Sequence, residues 1–390
     1  MAVDADALTA EQLREQTLEW LRENLPAGWM EAVDAHDEER LATLRRSLDY
    51  DEWCVRFGEA GYATPTWPAE YGAGLSLTPG RAKHVNDVLN HYRVPRPFNI
   101  IGIGMGGPTV LAWGSEDVKQ RLVKRIATNQ DIWCQLFSEP GAGSDVAGLS
   151  TRAVRDGDEW VVNGQKVWTT LAHEAKWCML VARSDPDVPK HKGLTYFLMD
   201  MEQDEVDVRP LRQITGEAEF NELFIENAYV PDENVVGGEG NGWMVAITTL
   251  MNERAGLGAS AALGLANSLD ELIELAKERD LADDPLVRDK VARLKIAIEG
   301  LRLGAMRALT ATMKIGTPGP EGSIAKLQWS STNQALTELA LAVGGIEALS
   351  KDDLWSYRFL RSRANSIEGG TSDVLKNIVA ERVLGLPKLR

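Results

Sequence analysis

The sequence predicts a mainly α protein with a small all-β section in its middle. Three observations predict it. Apolar residues recur at three- and four-residue spacing up to about residue 130 and again beyond about residue 243. Between those limits the pattern shifts to short runs broken by Pro, Gly and Asp. The hairpin dipeptides Asp156–Gly157 and Asn163–Gly164 both fall in that middle stretch. The expected organisation is therefore three domains: a helical 1–130, a β domain 131–243 and a helical bundle 244–390.

The first helix is anchored on Leu18, Leu21 and Leu25 and must stop at Pro26, which cannot continue it. Further helices fit 39–48, 51–60 and 79–89, with loops at Pro65, Pro68 and Gly72 to Gly74. Gly102 to Pro108 reads as a glycine-rich break. Ser115 is a candidate N-cap for a helix to Ile126, since Glu116 and Asp117 suit the positive end of its dipole. Strands are expected at 159–162, 177–182, 194–199, 206–211 and 223–225, with a polar loop over 186–192. The helical period resumes at Gly242, and Val291, Leu294, Ile298, Leu301, Ala305 and Ala308 form one long stripe. A linker is expected from Thr317 to Gly322. A helix over 324–343 ends at Gly344–Gly345, and a last one over 374–383 follows the Gly369–Gly370 turn.

Composition narrows the class. A hydrophobic fraction of 44% with 26% charged residues is that of a soluble globular chain, and 390 residues suggest two or three domains. A net charge of −16 argues against nucleic acid and anionic membranes as partners, while leaving room for an anionic cofactor held by local amides. Cys54, Cys134 and Cys178 carry no zinc or disulfide spacing, which fits a reducing cytoplasm. The polar start from Met1 to Arg14 lacks a signal-peptide core. No apolar run approaches the roughly 18 residues a membrane span needs.

The run Phe137-Ser138-Glu139-Pro140-Gly141-Ala142-Gly143-Ser144-Asp145 carries the first chemical signal. Its glycines let the backbone approach a ligand and turn N–H groups toward an anion, although such a run also suits a plain connector. Further on, Asn163-Gly164-Gln165-Lys166-Val167-Trp168-Thr169-Thr170 places an aromatic and two hydroxyls after an expected tight turn. Glu253 and Arg254 fall on or beside the apolar stripe of Ile247, Leu250, Leu257 and Ala261. A carboxylate facing an apolar interior has a raised pKa and suits a general base, or else belongs to a buried ion pair. Glu368, in the turn before the last helix, suits stabilisation of that helix's N-terminus better than catalysis. His173 reads as a packing residue. Ser144 lacks the strand–turn–helix elbow of a hydrolase nucleophile.

Taken together, the motif from Glu139 to Asp145, the Asn163-Gly164-Gln165-Lys166 run with Trp168, and Gly370-Thr371-Ser372 resemble the acyl-CoA dehydrogenase family of flavoenzymes, over essentially the whole chain. The resemblance implies two helical domains flanking a central β-barrel domain, with FAD bound non-covalently. It also implies that Gln135, Phe137 and Ser138 contact the isoalloxazine, with Trp168 packed against it and the Thr170 hydroxyl near N5. By the same resemblance Thr371 and Asp373 line the FAD site, and Ser144 contacts phosphate-bearing parts of the bound ligands. The family places its catalytic glutamate at one of two positions. Here Gly369 occupies one of them, so the resemblance implies Glu253 as base with Arg254 as its electrostatic support. The Gly369 N–H then donates to the thioester carbonyl. The product would be a trans-2-enoyl-CoA, with electrons passing to an electron-transfer flavoprotein.

One departure stands out. Many relatives carry Arg-x-x-Phe-Gly where this chain reads Arg279-Asp280-Leu281-Ala282-Asp283-Asp284-Pro285. A dimer or tetramer is expected, and the departure leaves room for a heteromer in which a sister chain completes the site. The alternative reading is a non-catalytic or co-catalytic subunit of a heteromeric enzyme. The wording around Pro189 to Leu194 and Gln213 to Gly216 resembles actinobacterial members, some of which act on steroid-derived CoA thioesters.

Overall fold

The computed structural model describes residues 8–255, 257–315 and 319–388. Seven helices come first: α1 (Ala10–Asn24), α2 (Trp29–Asp34), α3 (Glu38–Ser47), α4 (Tyr50–Glu59), α5 (Pro79–His91), α6 (Gly107–Trp113) and α7 (Glu116–Ala127). Eight strands follow: β1 (Trp133–Leu136), β2 (Arg152–Asp156), β3 (Glu159–Thr170), β4 (Trp177–Arg183), β5 (Leu194–Asp200), β6 (Val206–Leu211), β7 (Phe220–Pro231) and β8 (Val235–Val236). The chain then returns to helices: α8 (Gly242–Ala255), α9 (Leu257–Glu278), α10 (Pro285–Ile315), α11 (Gly322–Gly344), α12 (Leu354–Ser362) and α13 (Ser372–Ile378). The expected linker from Thr317 begins outside the described residues.

The chain divides into two compact units. One takes the residues up to Phe137 with Ser150–Val208 and Leu223–Val245; the other takes Ser138–Leu149, Arg209–Glu222 and the residues from Ala246 on. The first unit holds two cores. One is helical and centred on Leu21, Trp29, Trp53, Phe57 and Leu89. The other lies against the sheet, around Leu136, Trp160, Val162, Leu180, Phe197 and Leu223. The second unit has its own core where α9, α10 and α11 meet, including Leu269, Leu272, Ile298, Leu301 and Leu336. Leu294, Ile298, Leu301 and Ala305 of the expected stripe are all buried.

Sheet order is β6-β7-β3-β2-β4-β5-β8, with β1 added parallel to β4. This is an open path of mixed pairing among the described residues, where a closed barrel was expected. Strands β4 and β5 pair antiparallel from Trp177↔Asp200 to Arg183↔Leu194 and are buried along nearly their whole length. Both faces of each are covered, so neither shows the alternation of a half-exposed strand.

Some local expectations hold and others need correcting. Ser115 caps α7, its Oγ accepting from the Val118 N–H at 3.3 Å. Asp156–Gly157 is a hairpin, with Asp156 opposite Glu159 and Gly157 at φ +63°. Asn163–Gly164 is not a turn: both residues lie inside β3. Gly164 is glycine because a Cβ there would meet Thr151 at 2.3–2.8 Å. Asn163 instead clamps Asn227, accepting from its N–H at 2.9 Å and donating to its Oδ1 at 3.0 Å.

Gly102 to Pro108 is likewise no break. Residues Gly102–Gly106 form a wide helical turn that runs directly into α6. The glycines are set by tryptophans: a Cβ at Gly106 would meet the Trp133 ring at 2.8 Å, and one at Gly107 the Trp67 ring at 2.0 Å. Gly107→Ala should therefore destabilise the fold by at least about 1–3 kcal/mol, the usual cost of overpacking. Urea unfolding checks this; an unchanged midpoint would mean Trp67 moves freely.

Candidate active site

In the second unit, α8 carries Glu253 and Arg254 in its last turn. Both are partly buried, as are Ile247 and Leu250 of the expected stripe, while Leu257 has no described side chain. Arg254 donates from Nε to the Leu250 carbonyl at 2.9 Å and from Nη1 to Ser323 Oγ at 3.3 Å. Its influence on Glu253 is therefore that of a nearby charge rather than of a hydrogen-bonded partner.

Burial raises the Glu253 carboxyl above its ordinary value of 4.5. Arg254 works against that rise, Glu368 adds to it, and Lys326 again opposes it. Opposite the carboxylate lies the turn before α13. Gly369 and Gly370 have φ of +62° and +96°, the left-handed region that favours glycine. A Cβ built on Gly369 falls 3.3 Å from Glu253 Oε1. The expected base and the expected donor are thus neighbours.

Glu368 is committed elsewhere. Arg361 grips it with two bonds, Nη1 to Oε1 at 3.2 Å and Nη2 to Oε2 at 3.0 Å, and Asn365 Nδ2 donates to Oε1 at 2.7 Å. A bidentate guanidinium clamp of this kind fixes the geometry of the carboxylate. The role expected of Glu368, stabilising the following helix, is not what its contacts describe. Thr371 caps α13 instead, its Oγ1 accepting from Val374 N–H at 3.3 Å. Asp373 is exposed and pairs with Lys376 at 3.2 Å.

Also in the second unit, the loop from Ser138 is closed by two reciprocal backbone bonds between Glu139 and Ala142, each 3.0 Å. Gly141 and Gly143 have no left-handed φ, and a Cβ on either would meet nothing within 4 Å. The chain itself does not demand these glycines. They leave open space beside the exposed Ser144.

In the first unit, β1 carries Gln135 and β3 carries Trp168 and Thr170. Phe137 is buried with its ring edge-on to Tyr196, and its carbonyl accepts from Lys166, so its side chain is turned to packing. Trp168 has φ of +62° and is 63% exposed, with the partly exposed Thr170 two residues on. A large indole held outward in a conformation such residues seldom adopt, beside a hydroxyl, fits a planar ring system laid against β3.

Two residues escaped the sequence reading. Lys166 and Lys326 are wholly buried. Lys166 donates to the Phe137 carbonyl at 3.1 Å and the Val181 carbonyl at 3.0 Å. Lys326 does the same for Asn365 at 2.5 Å and Gly370 at 3.0 Å. Only the position of Lys166 inside the quoted Asn163-to-Thr170 run hinted at such a role.

Comparison with known proteins fixes the class. Residues 9–130, 134–228 and 240–384 match the N-terminal, middle and C-terminal domains of acyl-CoA dehydrogenase. The acyl-CoA dehydrogenase IpdE1 of Mycobacterium tuberculosis is 36% identical over 384 residues, 97% of this chain and 98% of that protein. FadE34 of the same organism is 41% identical over 334 residues, covering 86% of this chain and 46% of that longer protein. The chain belongs to the acyl-CoA dehydrogenase family and is a flavoprotein oxidoreductase of that class.

Among solved structures, the Tcur3481–Tcur3483 steroid acyl-CoA dehydrogenase is 26% identical with a TM-score of 0.77, covering 97% of this chain and 98% of that one. The ChsE4–ChsE5 complex from Mycobacterium tuberculosis is 27% identical with a TM-score of 0.76, covering 98% and 99%. Among the described residues, no helix is long and apolar enough to cross a membrane, and no cluster of His, Cys, Asp and Glu could hold a metal.

Proposed function

We infer that the protein is an FAD-dependent acyl-CoA dehydrogenase that converts an acyl-CoA thioester to its trans-2-enoyl-CoA, with Glu253 as the general base. The observation that carries this reading is the 3.3 Å approach of Glu253 Oε1 to the Cβ position of Gly369. It sets a carboxyl raised by burial beside a backbone turn able to present an N–H. The Glu253 carboxylate takes the α-proton, while Arg254 and Lys326 limit how far burial raises its pKa. The Gly369 N–H donates to the thioester carbonyl and stabilises the negative charge that develops on its oxygen. Bound FAD would accept the β-hydrogen as hydride at N5.

The residues assigned to the flavin are Gln135, Phe137 and Ser138 through the backbone, Trp168 as ring platform, Thr170 through its hydroxyl, and Thr371 and Asp373. Thr371 Oγ1, which accepts from Val374 N–H, keeps its own O–H to donate, and the Asp373 carboxylate, paired with Lys376, stays exposed. Ser144 is assigned to phosphate-bearing parts of the ligands. Matches at 9–130, 134–228 and 240–384 support the division 1–130, 131–243 and 244–390. Closure of the middle strands into a barrel, a cytoplasmic location and an electron-transfer flavoprotein as acceptor belong to the same reading.

A second reading is favoured by the structural neighbours, two of which are two-component assemblies, one of them named a steroid enzyme. On it this chain is a subunit of a heteromer acting on steroid-derived CoA thioesters, catalytic or not. An anaerobic titration of the purified chain with straight-chain, branched and steroid acyl-CoAs separates the two. Bleaching of the flavin band by one of them is the expected result and identifies the substrate class. A chain that stays colourless after FAD is supplied would overturn the catalytic reading for the isolated subunit.

A further inference from the structure

The last turn before α13 is held by a buried positive charge. Lys326, on α11, is 1% exposed and ends on two main-chain carbonyls, those of Asn365 and Gly370. Those residues bracket the stretch that contains Glu368 and Gly369. One turn further along α11, Ser330 Oγ donates to the same Asn365 carbonyl at 2.7 Å. Asn333 Nδ2 reaches the Asn365 side chain at 2.8 Å. A Cβ on Gly369 would lie 3.6 Å from Lys326 Cε and 3.3 Å from Glu253 Oε1, so the lysine stem and the carboxylate enclose the same glycine.

Neutral donors would serve to tie two carbonyls together. Burying an ammonium costs free energy unless negative charge lies nearby. Here both nearby carboxylates belong to the site: Glu253 and Glu368 each act on Lys326. We propose that Lys326 is a positioning residue: its ammonium pins the carbonyls of Asn365 and Gly370 and so holds Gly369 against Glu253. The same positive charge also favours the ionised form of Glu253. This rests on the reading of Glu253 as the base. The groups that act on Glu253 are Arg254 from its own helix, Glu368 from the turn and Lys326 from α11.

The test compares Lys326→Met, which lacks both donor and charge, with Lys326→Gln, which keeps a donor and lacks the charge. Two quantities are read: amide hydrogen exchange over 366–371, and the acid limb of kcat/KM against pH. In Lys326→Met, exchange should quicken and kcat should fall by about 100-fold, the effect of a small displacement of reacting groups. Its acid limb should move to higher pH, because a cation that favours the carboxylate is gone. Lys326→Gln should show the same limb shift with exchange closer to that of the parent. Unchanged exchange in Lys326→Met, or an unmoved acid limb in both variants, overturns the proposal.

Should Lys326→Met fail to fold, Ser330→Ala removes another donor to the Asn365 carbonyl. It should quicken exchange over the same segment to a smaller degree, and parent-like exchange there counts against the clamp. Failure of the underlying reading is distinguishable: Glu253→Gln would then keep its turnover, while the exchange result would still decide whether Lys326 fixes the turn.

Discussion

Glu253→Gln should remain yellow and lose nearly all turnover. The change keeps the side-chain volume and removes the group that accepts the α-proton, which costs about 10²–10⁴-fold when a general base is lost. Flavin content should be unchanged, because the flavin contacts are assigned to other residues. The pH dependence adds a second criterion. Burial favours the neutral acid, so the parent's kcat/KM should fall as pH drops through a value above the ordinary 4.5, with full activity only on the alkaline side. Glu368→Gln should keep most of the turnover and move that limb to lower pH, since the Glu368 charge adds to the rise of the Glu253 carboxyl while its oxygens are held by Arg361 and Asn365. Parent-like turnover in Glu253→Gln would refute the assignment.

Gly369→Ala should be the next most damaging change. Its φ of +62° costs a residue with a Cβ about 1–2 kcal/mol. The new methyl would also sit 3.3 Å from Glu253 Oε1, tighter than most carbon contacts, and would push the carboxylate away or twist the N–H. Displacement on that scale lowers kcat by about 100-fold. Measuring kcat together with the thermal midpoint separates the two effects. A folded Gly369→Ala protein with undiminished kcat would show that the glycine serves only the backbone.

Much of this was legible in the sequence because it lies in local pattern. The Ser115 cap, the Asp156–Gly157 hairpin and the stripe on α10 need only neighbours along the chain. Where the reading failed, the deciding contact was distant. Asn163–Gly164 has the composition of a turn, yet Gly164 answers to Thr151 and Asn163 to Asn227. Gly102 to Pro108 looks like a break because its reason, the rings of Trp67 and Trp133, is supplied from elsewhere in the chain. The short helix α2 was not foreseen, since its six residues are too few for a period to show. In the candidate site, Glu253 could be singled out by its place on an apolar stripe. Lys326 could not: a lysine is usually exposed, and nothing local announces that its ammonium ends on carbonyls near the far end of the chain.

The glycine–tryptophan contacts under α6 bear on how this chain is able to diverge. With a Cβ at Gly107 placed 2.0 Å from the Trp67 ring, neither position is independently variable. Enlarging the glycine requires shrinking the indole, and shrinking the indole alone leaves a hole about the size of an aromatic ring. The two positions are therefore sterically coupled, and so are Gly106 and Trp133. Substituting one partner of either pair alone should cost stability, whereas a matched change of both should recover part of it.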